Sequence, residues 1–173
     1  MKPVATSKSA SAPRRPPVSR WAPAVRGLVG GQTAYLAVCD FGRDERIGMV
    51  RQGLPARLLV RLANDMQIPR ERLYGWLGIA RTTANRKVKN DERLSQDESE
   101  RALGLTRLVG QVQRIVTESG NTCGFDAARW TANWLDEPNA ALAGRAPGGY
   151  MDTADGRSLV SALVAQMQSG AYA

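Results

Sequence analysis

Between Arg81 and Lys89 the chain reads Arg-Thr-Thr-Ala-Asn-Arg-Lys-Val-Lys, a run whose side chains suit contact with a nucleic acid. Thr82, Thr83 and Asn85 carry groups that hydrogen-bond base edges, the amide matching adenine best, while Arg81, Arg86, Lys87 and Lys89 bring charge for phosphates. An arginine can instead take guanine, and the residues alone do not choose. The run follows a second short helical pattern, Arg70 to Leu77, through Gly78-Ile79, so the pair predicts a helix-turn-helix. A solvated charged surface is the plainer reading of any basic run. The charge map favours the nucleic acid: residues 1–93 hold 18 Lys and Arg against 7 Asp and Glu, whereas residues 94–173 hold 6 against 9. One half suits a polyanion, and the other suits a different task.

The residue inventory removes several alternatives. The chain has no histidine, which takes away the usual general base and the Ser-His and Cys-His nucleophile pairs. Its two cysteines, Cys39 and Cys123, lie far apart and in no metal-like spacing. No cofactor, metal or catalytic group is expected, and the chain reads as a non-enzyme. Aromatic content of 6% argues against a base-stacking platform for single strands, while 43% apolar content allows a packed core. No apolar run approaches the roughly 18 residues of a membrane span, and the N-terminus lacks a secretory stretch, so a cytoplasmic location is expected.

The elements that must position the basic run are helices, and an all-α fold is expected. Residues 1–26, broken by Pro13, Pro16, Pro17 and Pro23, read as a disordered basic arm. Tyr35 to Cys39 stays ambiguous between strand and helix. Arg43 to Arg51 predicts a short helix ended by Gly53, and Pro55 opens another running to Met66 with Leu58, Leu59, Leu62 and Met66 on one face. Ser95 and Glu98 form a capping box that starts the longest helix, with Leu105, Leu108, Val109, Val112, Ile115 and Val116 as its stripe. Phe125, Ala128, Ala132 and Leu135 mark a helix closing at Pro138. Asn139 to Asp152 shows no period and reads as a loop, in which Gly148-Gly149 adds slack. Thr153 then caps a last helix whose face is Leu159, Val160, Leu163, Val164 and Met167.

From Gly53 onward the ordered landmarks resemble the Xre/MbcA/ParS family of bacterial antitoxins, partners of RES-domain toxins. They are Gly53-Leu54-Pro55-Ala56, Leu77-Gly78-Ile79, Arg81-Thr82-Thr83, Arg93-Leu94-Ser95 and Glu98-Ser99. Further on come Trp134-Leu135, Pro138-Asn139, Ala141-Leu142, Pro147, Asp152-Thr153, Asp155-Gly156 and Gly170-Ala171-Tyr172-Ala173. Ala80 stands where the family usually has a capping serine. The resemblance implies an Xre-like helix-turn-helix DNA-binding region followed by a small helical toxin-binding domain. It also implies an antitoxin that covers the active-site cleft of an NAD-consuming toxin and represses its own operon.

On this reading residues 27–93 are the DNA-binding region and 94–173 the toxin-binding domain with its tail. Trp130 and Trp134, one helical turn apart, fit either core packing or an interface anchor. Asn139, Leu142 and Pro147 either shape their loop or present it to the toxin. Tyr172 and Ala173 at the tail are candidates to plug the toxin's cleft. Operator DNA, a RES-domain toxin and a second copy of the chain are the expected partners. The competing reading is a free-standing repressor whose C-terminal half only dimerises.

Overall fold

The computed structural model describes residues 33–120 and 124–168. They form eight α-helices, α1 (Thr33–Asp40), α2 (Arg43–Gln52), α3 (Arg57–Asp65), α4 (Arg70–Trp76), α5 (Arg81–Lys89), α6 (Gln96–Glu118), α7 (Ala127–Asp136) and α8 (Ala154–Gln168), with 3-10 turns at Ala140–Leu142 and Pro147–Tyr150. No strand occurs among the described residues. The expected all-α class is observed. The expected basic arm, Cys123, Tyr172 and Ala173 lie outside the described residues.

α6, 23 residues long, is the axle. Its capping box forms as expected: the Ser95 hydroxyl accepts from the Glu98 amide at 3.2 Å, and the Glu98 carboxylate accepts from the Ser95 amide at 2.6 Å. The buried stripe Ala102, Leu105, Val109 and Val112 then follows at helical spacing. α1 lies across this helix. The Thr33–Asp40 helix settles Tyr35 to Cys39 as helix, with Tyr35 and Val38 buried and the Tyr35 hydroxyl donating to Asp65 at 2.7 Å. Burial and this carboxylate both raise the Tyr35 pKa, so the hydroxyl remains a donor. The close approach depends on Gly110, where a Cβ would collide with the Tyr35 carbonyl and the Cys39 sulfur.

A backbone clasp closes the N-terminal half. Leu94 N–H donates to Leu54 O at 2.8 Å and Ala56 N–H to Glu92 O at 3.0 Å, so the segment before α3 pairs antiparallel with the segment after α5. The buried Ser99 hydroxyl accepts from Leu54 N–H at 2.9 Å, and Arg93 donates to Gly53 O at 2.6 Å. The clasp delays α3. Pro55 was expected in its first turn, yet Pro55 forms a bridge with Arg93 and α3 begins at Arg57. Gly53, with φ of +79°, turns the chain where a side chain would strike the Leu94 carbonyl.

The C-terminal half corrects two further expectations. Asn139 to Asp152 is not a slack loop: the Asn139 side chain accepts from Ala141 N–H at 2.9 Å, and Pro147 opens the second turn. Turns of three or four residues are too short to show a period in sequence. Gly148 is buried, and its missing side chain makes the slot into which the Trp76 ring and the Leu135 carbonyl press. On α8 the Thr153 hydroxyl accepts from Gly156 N–H at 3.1 Å as expected, but Leu159 is 42% exposed. It sits about 100° around the helix from Val160, off the stripe made by Val160, Leu163 and Val164.

Gly110 and Gly75 separate packing from propensity. Gly75 has nothing within 4 Å of a built Cβ, so Gly75→Ala is expected to stabilise by about 0.5–1 kcal/mol. Gly110→Val is expected to cost at least about 2 kcal/mol because α1 must lift away. Urea denaturation of the two variants checks the opposite signs.

Candidate nucleic-acid and partner interfaces

α4 and α5 meet through Gly78, whose φ of +57° makes the turn, and Arg101 of α6 donates to the Gly78 carbonyl at 3.1 Å. Ala84 is the buried side chain of α5 and Val88 packs half-buried beside it, which turns Arg81, Thr82, Asn85, Arg86 and Lys89 to the exposed side. Thr83 is half-buried. Ala80, at the helix cap, provides no side-chain bond. Buried Tyr74 of α4 donates its hydroxyl to Asn85 Oδ1 at 3.2 Å. Burial pushes the Tyr74 pKa up, so the hydroxyl stays protonated and fixes the amide with its NH2 free.

The cations differ in how they are held. Arg81 pairs with Glu71 at 3.3 Å on the surface, and Arg86 grips both Glu92 oxygens at 2.5 and 2.7 Å. Hydrogen bonds from Asn90 and Arg86 hold the Glu92 carboxyl below its ordinary range. Lys87 is of another kind. Its ammonium reaches Glu98 Oε2 at 2.5 Å, and the two side chains are only 12% and 10% exposed. The sequence offered Lys87 as a phosphate contact; the fold gives it a structural partner in the capping box. Burial alone would raise the Glu98 carboxyl, but the Lys87 ammonium and the Ser95 amide outweigh it and lower the pKa. A cleft also lies beside α5, lined by Arg57, Arg61, Asp65 and Arg70 with Val60, Asn64 and Val88, in which Arg61 pairs with Asp65 at 3.0 Å and Arg57 with Asp91 at 2.8 Å. Spacing along one element could not show this neighbourhood, since the cations come from α3 and the start of α4.

In the C-terminal half, Trp134 is 9% exposed, Leu142 6%, and Pro147 is buried, so these candidates lie within the shared core. Asn139 is spent on capping its turn. Trp130 is the half-exposed member of the pair. It stacks on Trp134 with ring centres 6.1 Å apart at 7°, and Phe125 tilts against it at 6.3 Å, leaving an aromatic ladder that ends at the surface.

The helix-turn-helix, the exposed polar face of α5 and the helical unit packed behind it define a helix-turn-helix protein with an appended helical domain. Comparison with known proteins agrees. Residues 45–107 match the antitoxin Xre-like helix-turn-helix domain, and residues 120–170 match the antitoxin Xre/MbcA/ParS C-terminal toxin-binding domain. The chain is also 40% identical over 140 residues to a Prs ADP-ribosylating antitoxin of Sphingobium sp. (strain YBL2), covering 81% of this chain and 88% of that one. This chain belongs to the Xre/MbcA/ParS family of antitoxins. Membership points to a regulator that acts without turnover. Among the described residues no helix is long and apolar enough to cross a membrane, and no cluster of metal-ligating side chains forms.

Replacing Lys87 by Met keeps the stem and removes the charge. The variant is expected to lose about 1–3 kcal/mol at neutral pH, because a mostly buried carboxylate is left without its cation. The lowered Glu98 pKa makes this contribution complete above the ordinary carboxylate range and removes it as pH falls through the folded-state value. The stability gap to the natural chain should therefore close toward about pH 3. Urea titrations at several pH values measure it, and a constant gap would deny the pair its role.

Proposed function

We propose that this antitoxin neutralises a RES-domain toxin by covering its active-site cleft, and that it represses its own operon by laying α5 in the major groove, working in the cytoplasm as a homodimer. The observation that carries the DNA half is the α5 face, where an oriented amide, two hydroxyls and unburied cations stand together on a short helix. Asn85, held by Tyr74, reads adenine, with Thr82 and Thr83 beside it. Arg81 and Lys89 neutralise phosphates, and Arg86 joins them by exchanging its exposed, screened Glu92 partner for a phosphate oxygen. Lys87 serves by holding α5 in place.

The toxin half rests on the family and on a half-buried aromatic pair that reaches the surface. The Sphingobium relative's name couples an antitoxin with ADP-ribosylation, chemistry that takes ADP-ribose from NAD, which suits a partner that consumes NAD. Trp130 and Phe125 present the aromatic contact, with Trp134, Asn139, Leu142 and Pro147 shaping the surface behind them. Tyr172 and Ala173 then reach into the toxin's cleft, blocking it by occupation and not by reaction. The working division is residues 27–93 for DNA and 94–173 for the toxin.

Co-expression with the adjacent gene's product tests the whole reading, scoring growth and complex formation together. Rescue with a co-purifying toxin is expected, and a chain that rescues nothing while still binding DNA would mark a free-standing repressor. Deletion of Gly170 to Ala173 is expected to weaken rescue and leave DNA binding intact. In salt titrations of operator binding, Arg81→Ala and Lys89→Ala should each flatten the slope by about one unit. Tyr74→Phe should keep the slope and lower discrimination at one base pair by about 0.5–1.5 kcal/mol.

A further inference from the structure

The flank of α6 turned away from Lys87 and α5 floors a groove of about 1040 Å³, walled by α2 and α8. Its two ends are charged differently. At one, Arg157 of α8 lies across α6 where Gly104 has no side chain, and it is engaged, donating to Glu100 and to the Met151 carbonyl at 3.1 Å each. About 10 Å further along α6, Arg107 and Arg114 gather with Arg46 of α2 around Cys39, whose sulfur lies 3.6 Å from the Arg107 carbonyl. Arg114 reaches the exposed Asp40 at 2.5 Å and Arg46 donates to the Phe41 carbonyl, but Arg107 forms no ion pair among the described residues. Burial and the charge of Arg46 both lower the Arg107 pKa, and burial raises the Cys39 thiol although the three guanidiniums pull it down. Three cations share one carboxylate.

The segments outside the described residues bring no acidic side chain to this end, since residues 1–32, 121–123 and 169–173 contain no Asp or Glu. The missing anion comes from elsewhere. Charge gathered at one point suits phosphates: the fork of a guanidinium matches phosphate oxygens, and forks converging from two helices match a di- or triphosphate. An acidic helix is a poorer occupant, because its carboxylates spread along its length and would meet the Arg157 end, which Glu100 already balances. One helical turn from Arg46 and Arg107, the side chains of Val50 and Leu103 line the groove, and Ile47, 40% exposed, stands beside them. That apolar wall next to a cationic cluster gives a planar base somewhere to lie.

We propose that this end of the groove binds a nucleoside di- or triphosphate, with Arg46, Arg107 and Arg114 on the phosphates and the base against Ile47, Val50 and Leu103. Arg114 exchanges its exposed, screened Asp40 partner for a phosphate oxygen. The site uses neither α5 nor Trp130. It is therefore additional to the operator and toxin surfaces and stands or falls apart from them.

Isothermal titration calorimetry of the full chain with ATP, ADP, AMP, inorganic pyrophosphate and sulfate is the test, at about 0.15 M salt so that weak counterion effects are screened. One site per chain is expected, with ATP and ADP bound at least about tenfold more tightly than AMP or sulfate. Pyrophosphate should fall between, since it keeps the charge and lacks the base. Arg107→Met should weaken ADP binding at least about tenfold, and Arg114→Met, which gives up only an exposed pair, should do the same. Urea midpoints close to that of the natural chain would show that both variants fold. No heat with any ligand, sulfate bound as well as ADP and so an adventitious ion only, or both variants binding ADP like the natural chain would each overturn the site. A fourth result would also overturn it: Arg107→Met flattening the salt slope of operator binding by about one unit in a chain that binds no nucleotide, which assigns the arginines to DNA phosphates.

Discussion

The Glu98 carboxylate is shared by two structures that would otherwise be independent. One oxygen closes the capping box that starts α6 and also takes the ammonium of Lys87, on the second helix of the helix-turn-helix. Such a group, mostly buried, cannot be left half satisfied without cost, so the first turn of α6 and the last turn of α5 are fixed together. The clasp between Leu54 and Leu94 reinforces the joint from the other side, with Ser99 of the next turn bonding into it. The position of α5 is therefore set by the helix that carries the rest of the molecule.

That helix also carries the C-terminal half into the same core. Trp76, on the first helix of the helix-turn-helix, presses into the slot left by Gly148, and Arg72 reaches Asp136 at the end of α7. A chain with two tasks thus has one continuous hydrophobic core, running from Tyr35 to Val164. Trp76 lies within one turn of Gly78, so the ring that fills the Gly148 slot also packs beside the junction of α4 and α5.

Much of this was legible in sequence where a rule is local. The capping box at Ser95, the cap at Thr153, the bounds of α5 and the stripe on α6 follow from spacing and cap chemistry within one turn of helix. What stayed hidden depends on residues far apart in the chain. Gly148 looked like slack because a glycine's lack of a side chain does not reveal whether it grants freedom or room for a neighbour, here Trp76 from 72 positions earlier. Lys87 looked like one more phosphate contact for the same reason, since its partner sits on the next helix. The period that revealed the buried face of α8 also drew in Leu159, whose angle alone excludes it. The family landmarks were readable as an ordered set, although the backbone pairing of Gly53-Leu54-Pro55-Ala56 with Arg93-Leu94 was not.

The shared carboxylate can be examined directly by amide hydrogen exchange in the Glu98→Ala variant. If one group holds both helices, protection should fall together in the first turn of α6 and in the last turn of α5, with α7 and α8 unchanged. Fraying confined to α6, with the amides of Lys87, Val88 and Lys89 as protected as in the natural chain, would contradict the account.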